Sequence, residues 1–119
     1  MITWNNLDTL TSFKELENVE RVDLVKAMAG ENGAERVKNY SVPMAEGLTY
    51  NYAAKQVDDK VLAALAKLAD EAQLTEKFEA LYNGEVINTG EKRLVLHHMT
   101  RGQLGEAVEA DGVDKRTFY

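Results

Sequence analysis

The chain has 119 residues, of which 45% are hydrophobic, and this length accommodates one ordinary domain. Fourteen Lys and Arg against 20 Asp and Glu give a formal charge of −6, which argues against a nucleic-acid binder and against a basic membrane anchor. Cysteine does not occur, which excludes disulfides and thiolate metal sites and favours a reducing compartment, the cytoplasm. The longest apolar run, residues 61–66, is far shorter than the about 20 residues that cross a bilayer.

The first forty residues show short helical patterns. Apolar residues at three-residue spacing predict an amphipathic helix over about 4–16. A similar pattern predicts a second short helix over about 21–29, which Gly30 can end, and residues 31–33 are predicted to form a loop.

The apolar period then changes to two. Alternating residues around a Gly-containing turn predict an antiparallel β-hairpin over about 40–52. Pro43 cannot donate a ladder hydrogen bond, so its strand is expected at an edge. Tyr40, Tyr50 and Tyr52 could stack a base or a sugar, but packing within the hairpin is the favoured interpretation.

The strongest local signal predicts a long helix over about 58–82. Asp58 is a suitable N-cap, an apolar stripe that includes Leu65 is expected to pack in a core, and a kink or restart is expected near residues 73–75. Residues 83–84, Asn-Gly, predict its end. Its carboxylates are interpreted as a solvated face rather than as an acid–base pair; they are Asp58, Asp59, Asp70, Glu71, Glu76 and Glu79.

The remaining sequence predicts one more complete helix, over about 91–101, ended by Gly102 and Gly105. Residues 114–119 resemble the capped opening of a further helix, and the sequence is expected to be truncated there. The predicted fold class is mainly α with one small antiparallel β-hairpin, arranged as a single segment over residues 1–119.

The residues that could carry chemistry do not form a recognisable active site. The two serines, Ser12 and Ser41, lack the context of a nucleophile. His97 and His98 are adjacent, and on a helix they would point about 100° apart rather than share the i, i+4 face that a metal pair needs. One packed histidine and one at a rim is the favoured interpretation, and no catalytic, substrate-binding or metal-binding residue is assigned.

Two further features have an ordinary and a functional interpretation. On a helix over 91–101, Arg93 and Arg101 would lie on nearly one face, where they could bind an anion or, as favoured here, pair with carboxylates. The carboxylates considered for this pairing are Glu85, Glu91 and Glu106. The GxxG of residues 102–105 lacks the preceding strand of a phosphate-binding loop and is interpreted as a plain loop.

Three stretches carry a resemblance to a known family. Residues 84–88 (GEVIN) followed by 93–101 (RLVLHHMTR) resemble the N-terminal signature of glucose-6-phosphate isomerases, and residues 48–57 resemble the strand before it. Residues 97–105 are similar to a spirochaete-like bacterial branch. Gly90 and Leu94 depart from the family pattern. The resemblance covers about residues 40–105 and is weak over the first 40.

The resemblance implies an enzyme of glycolysis and gluconeogenesis that interconverts glucose 6-phosphate and fructose 6-phosphate. Family members work in the cytoplasm as homodimers without a metal or organic cofactor, moving a proton between C2 and C1 through a cis-enediol with a carboxylate base. Their phosphate-binding and catalytic elements have no counterpart in these 119 residues. The resemblance therefore implies an inactive N-terminal helical segment of a larger α/β sugar-isomerase fold.

Two other functions stay open from the residues alone. The chain could be a small non-catalytic helical protein-interaction module, in which case its apolar stripes should be buried within the monomer or in a self-association interface. It could also be a sensor that binds sugar phosphate near Arg93 and Arg101 without turning it over.

Overall fold

The computed structural model describes residues 1–102 and 105–118. These residues divide into two compact units: a first unit, Thr11–Leu68, and a second unit formed by Met1–Leu10 together with Ala69–Tyr119. Within the described ranges no helix is long and apolar enough to cross a membrane.

The first unit begins with three helices, α1 (Thr11–Glu17), α2 (Leu24–Ala27) and α3 (Gly30–Asn39). Asp23 caps α2, since its Oδ1 accepts a hydrogen bond from the Lys26 amide at 3.2 Å. The helix predicted over 4–16 is divided, because Leu10 is extended between a 3-10 turn, Leu7–Thr9, and α1. The loop predicted at 31–33 is wrong: it lies inside α3, which starts at Gly30.

The predicted hairpin follows, as strands β1 (Ser41–Pro43) and β2 (Thr49–Asn51), paired antiparallel with Val42 opposite Tyr50. Both strands are edges because this sheet has two strands. Asn51 joins the hairpin to α3, since its Nδ2 donates to the carbonyl of Val37 at 2.7 Å.

The long predicted helix is present as α4 (Asp59–Glu71) and α5 (Leu74–Tyr82), with a break at Gln73, whose φ is 54°. The Asp58 side chain caps α4 by accepting from the Val61 amide at 2.9 Å. Gln73 Oε1 in turn accepts from the amide and the hydroxyl of Thr3, at 2.8 and 3.0 Å, within the second unit.

The helix predicted over 91–101 is wrong. This region contains a second hairpin, β3 (Val86–Asn88) with β4 (Arg93–Leu94), followed by a 3-10 turn, His97–Arg101. Asn88 Oδ1 accepts from the Glu91 amide at 3.1 Å and Lys92 has a φ of 54°, so the chain reverses before a helix can form.

A third hairpin, β5 (Glu109–Ala110) with β6 (Val113–Asp114), leads into α6 (Lys115–Phe118). Asp111 and Gly112 connect the strands with φ values of 54° and 74°, the conformation that an Asp-Gly hairpin turn requires. The predicted start of a helix near residue 114 agrees with α6. The described chain is mainly helical as predicted, but it has three hairpins rather than one.

Large apolar side chains contribute little to the interior. The buried hydrophobic residues in the described ranges are Ala53, Ala64, Ala72, Ala80, Met99 and Val108. Leu65, expected in a core, is 40% exposed. Leu65 therefore faces a surface that the described residues do not fill.

Candidate functional site

A cluster of side chains in the second unit surrounds Tyr82, the last residue of α5. The Arg116 guanidinium, 3% exposed, lies over the Tyr82 ring at 5.1 Å from its centroid. Its Nη2 donates to the Tyr82 carbonyl at 2.9 Å and its Nε donates to the Glu106 carbonyl at 2.5 Å. A cation at the carbonyl end of a helix is also favourable for the helix dipole.

His98 packs on the same tyrosine. The two rings are stacked with centroids 5.1 Å apart, and His98 Nε2 lies 3.2 Å from the Tyr82 carbonyl. A carbonyl can only accept, so Nε2 carries a proton in this contact. Nδ1 is buried without a hydrogen-bond partner in the described ranges.

Asp114 fixes the start of α6 and thereby the position of Arg116. Its Oδ1 accepts from the amides of Arg116 at 3.0 Å and Val108 at 3.2 Å, and its Oδ2 accepts from the Thr117 hydroxyl at 3.1 Å. Burial opposes ionisation, but these hydrogen bonds outweigh it and lower the pKa of Asp114.

This arrangement connects segments of backbone rather than presenting reactive atoms. Both Arg116 and His98 direct donors at main-chain carbonyls, including the same one, that of Tyr82. Residues 1–102 and 105–118 contain no group of three side chains that could hold a metal ion. The sequence prediction that no residue here is catalytic, substrate-binding or metal-binding stays a prediction.

The other histidine and the two arginines considered from sequence lie apart from this cluster. His97 is exposed and borders a cavity of about 220 Å³ lined also by Leu94, Leu96 and Thr100. Arg93 lies on β4, with its Nη1 3.9 Å from an exposed Glu91 carboxylate, and Arg101 ends the 3-10 turn. The shared helix face expected for Arg93 and Arg101 does not exist. The middle of the predicted GxxG loop, residues 103–104, lies outside the described residues.

In the first unit, Arg36 is the counterpart of Arg116. It is 9% exposed, and it donates to the carbonyls of Ala53, Lys55 and Val57 at 2.7, 2.8 and 2.6 Å. Its guanidinium also lies 4.4 Å from the centroid of the Tyr40 ring. These bonds fix the loop that joins β2 to α4.

Tyr40 closes a polar cavity of about 300 Å³ beside Arg36. Its hydroxyl donates to Asp59 at 3.2 Å, and partial burial, followed by the Asp59 carboxylate, raises the pKa of Tyr40 above 10.0. The tyrosines pack within the hairpin as expected, with ring centroids 5.2 Å apart for Tyr40 and Tyr52 and 6.1 Å apart for Tyr50 and Tyr52. Hairpin packing, rather than a separate stacking platform, accounts for their positions.

The same hairpin borders a larger concavity, here called the apolar groove. It has a volume of about 450 Å³ and is lined by β1, β2, α4 and the loop before α4. Its apolar lining residues are Val42, Tyr50, Tyr52, Val57, Leu62 and Leu65. Lys55 also borders it and is the charged residue of the lining.

Sequence reasoning missed Arg36 and Arg116. Neither belongs to a motif, and each stands among polar residues as a surface arginine would. The spacing of Asp114 and Arg116 indicated only a helix start. Their burial depends on carbonyls that are distant in the sequence, which local patterns do not reveal.

A family model described as phosphoglucose isomerase matches residues 51–117, more than half of the chain. A relative from Treponema denticola, named glucose-6-phosphate isomerase, is 53% identical over 98% of this chain. Relatives of the same name from Treponema pallidum and Borrelia garinii are 46% and 40% identical over 99% and 100% of it. The likeness therefore reaches into the first 40 residues, further than the sequence motifs indicated.

The matched region is a small part of each relative. The chain spans 23% of the length of the two Treponema proteins and 22% of the Borrelia protein.

Proposed function

Because this chain belongs to the phosphoglucose isomerase family, we propose that it forms part of a longer polypeptide that interconverts glucose 6-phosphate and fructose 6-phosphate. The observation that carries this proposal is the 53% identity over 98% of the chain to a relative named glucose-6-phosphate isomerase. The chain spans 23% of that relative, so the activity is proposed for the longer polypeptide and not for these residues alone.

In this proposal the chain has a structural role in the enzyme. The buried side chains of Arg36 and Arg116 direct their donors at backbone carbonyls. Such contacts fix loops and turns, and they do not move a proton of a sugar. We assign acid–base chemistry and phosphate binding to parts of the polypeptide outside these 119 residues.

The proposal extends to the assembly that the family resemblance implies. We propose that the chain is the N-terminal helical segment of a larger α/β sugar-isomerase fold, and that the enzyme is a homodimer in the cytoplasm. A sequence without cysteine supports a reducing compartment. The exposed side chains of the apolar groove support a larger fold, because their burial needs further protein.

The test is a coupled assay of fructose 6-phosphate isomerisation, run on the 119-residue chain and on a longer product of its gene. We expect turnover by the longer product and none by the 119-residue chain. Turnover by neither would contradict the proposal and favour a non-catalytic interaction module. Turnover by the short chain would contradict the structural role assigned to it.

Two histidine variants sharpen this test. His97→Ala and His98→Ala in the longer product are expected to retain the ability to transfer the proton, since neither histidine is assigned a chemical role. His98→Ala removes the contact with Tyr82 and is expected to lower thermal stability, whereas the exposed His97 is the matched control. Loss of turnover with an unchanged melting temperature in either variant would refute that assignment.

A further inference from the structure

The apolar groove of the first unit exposes side chains that a folded protein ordinarily buries. Val42 on β1 is 44% exposed, Tyr50 on β2 is 47% exposed and Leu65 on α4 is 40% exposed. These residues come from three elements yet border one concavity of about 450 Å³. A contiguous apolar patch of this kind is typical of a surface that another protein, a membrane or a ligand covers.

Arg36 and Tyr40, which do not line the groove, hold its lining residues in place. Arg36 donates to the carbonyls of Lys55 and Val57, which fixes the loop at one wall. The Tyr52 ring stacks on Tyr40, which fixes the hairpin at the other. The concavity is therefore preformed, and an occupant would not have to order it.

The charge of the groove restricts the occupant. In residues 1–102 and 105–118, no carboxylate oxygen lies within 4.0 Å of the Lys55 ammonium. A complementary surface therefore combines apolar side chains with an acidic residue opposite Lys55. A second copy docked groove to groove about a two-fold axis would instead bring two Lys55 side chains towards each other, which is unfavourable.

We propose that the apolar groove is the surface on which the remainder of the isomerase polypeptide docks, through a segment with apolar side chains and a carboxylate that pairs with Lys55. The length of the family members supports this occupant, because more than three quarters of the Treponema denticola relative lies outside the region matched by this chain. This inference rests on the proposed function, since it needs the longer polypeptide.

The test uses thiol labelling of the longer gene product, because these 119 residues contain no cysteine. Leu65→Cys and Val42→Cys place a thiol at the groove, on α4 and on β1 respectively. Ala63→Cys is the matched control: it is exposed on α4 two residues from Leu65, which places it about 200° around the helix. Labelling rates are read by peptide mass spectrometry and divided by the rate at the same position in urea.

We expect the two groove positions to label at least about tenfold more slowly than position 63 in the folded longer product. Equal labelling at all three positions would overturn the proposal. Equal protection at all three would also overturn it, because the cover would then not be specific to the groove. Protection that is lost on dilution would identify a second copy as the occupant and overturn it as well.

The isomerase assay on the same variants separates the two proposals. An active longer product with an accessible groove contradicts only the docking inference. A longer product that folds but shows no turnover contradicts the proposed function, whatever the labelling pattern is.

Discussion

Arg36 and Arg116 are the buried cations of the described residues, and each has main-chain carbonyls as partners. Burying a guanidinium is unfavourable unless its donors are used, and carbonyl dipoles supply acceptors without a second charge. The hydrogen bonds of each side chain then hold together segments that are distant in the sequence. For Arg36 the distant segment is the loop from Ala53 to Val57.

We expect Arg36→Met to lower the free energy of unfolding of the chain by about 3 kcal/mol, because three carbonyls lose a charged donor. Lys38→Met, at an exposed position on the same helix, is the control and should change it by less than about 0.5 kcal/mol. Urea unfolding followed by circular dichroism measures both. Equal effects of the two substitutions would show that the carbonyl contacts of Arg36 contribute nothing.

Asp114 gives a pH-dependent prediction at the same scale. Its pKa is lowered on folding, so its carboxylate stabilises the folded chain above its ordinary pKa of 3.8, and this contribution is lost as the pH falls through the lowered value. We therefore expect Asp114→Asn to destabilise the chain at neutral pH and to differ less from the parent chain well below pH 3.8.

Thermal unfolding at neutral pH and well below pH 3.8 measures the difference in stability between Asp114→Asn and the parent chain. Asp111→Asn is the control, because the Asp111 side chain is 94% exposed and its one ion pair is long, at 4.0 Å. A difference for Asp114→Asn that does not change with pH would contradict the assigned hydrogen bonds.

At the scale of elements, Gly84 connects the end of α5 to the hairpin of β3 and β4 and packs against Val108, the residue before β5. Its φ is 74°, and a Cβ at this position would overlap the Val108 side chain. The family motif at 84–88 therefore begins with a residue whose identity is determined by conformation and by close packing together. Gly112 has the same φ of 74° but open space around its Cβ position.

We expect Gly84→Ala to lower the unfolding free energy by about 2–4 kcal/mol, since conformational strain adds to overlap with Val108. Gly112→Ala should cost only about 1 kcal/mol, from the strained φ alone. The difference between the two variants, measured by urea unfolding, isolates the contribution of the Val108 contact. A larger loss for Gly112→Ala would reverse this interpretation.

Helix α4 gives a second prediction at this scale. A core leucine replaced by alanine costs about 2–5 kcal/mol, but Leu65 is 40% exposed on the groove, so Leu65→Ala should cost about 1 kcal/mol in this chain. Leu62→Ala, at a half-buried position of the same helix, should cost more. Chemical denaturation tests the order, and a larger loss at Leu65 would show that the groove is closed in solution.

The local sequence pattern is sufficient to predict some helices and strands and not others. The hairpin at 40–52 and the helix pair α4 and α5 have regular apolar periods and were predicted correctly. Helix α3 was missed because its sequence, GENGAERVKN, has two glycines and no apolar stripe, and it depends on Arg36 and Val37 contacts with the hairpin region.

The segment at 91–101 was interpreted as a helix because a short apolar run fits either period. The pairing of Val86 with Leu94 depends on the turn after Asn88, whose Oδ1 accepts a hydrogen bond from the Glu91 amide. The periodicity of apolar residues does not reveal such a side-chain hydrogen bond. The third hairpin does have a local signal, the Asp-Gly pair at 111–112, which is typical of a two-residue hairpin turn. The Tyr82 cluster had none, because its geometry depends on carbonyl positions.

For the whole molecule, the balance of buried and exposed apolar surface is the informative property. Ordinary globular proteins unfold with a heat-capacity increase of about 12–15 cal/mol/K per residue, which follows the apolar area that becomes exposed. In this chain several large apolar residues are exposed while folded, among them Leu48 at 63%, Leu74 at 59% and Phe78 at 62%. Unfolding of the chain therefore exposes little additional apolar area at these residues.

We therefore expect differential scanning calorimetry of the 119-residue chain to give a heat-capacity increase per residue below that ordinary range. The longer gene product should lie within the range, because the same side chains are then covered. A value within the ordinary range for the short chain would show that it buries these residues in solution, through self-association or rearrangement. Repeating the scan at lower protein concentration separates those two causes.

Four of the six buried hydrophobic residues in the described ranges are alanines: Ala53, Ala64, Ala72 and Ala80. A conventional alanine scan cannot probe these positions, since it would replace each residue by itself. Substitution of these alanines by larger residues is informative instead, because a well-packed interior has no space for an added methylene. Replacing a buried alanine by a larger residue should therefore destabilise this chain more than replacing an exposed leucine by alanine.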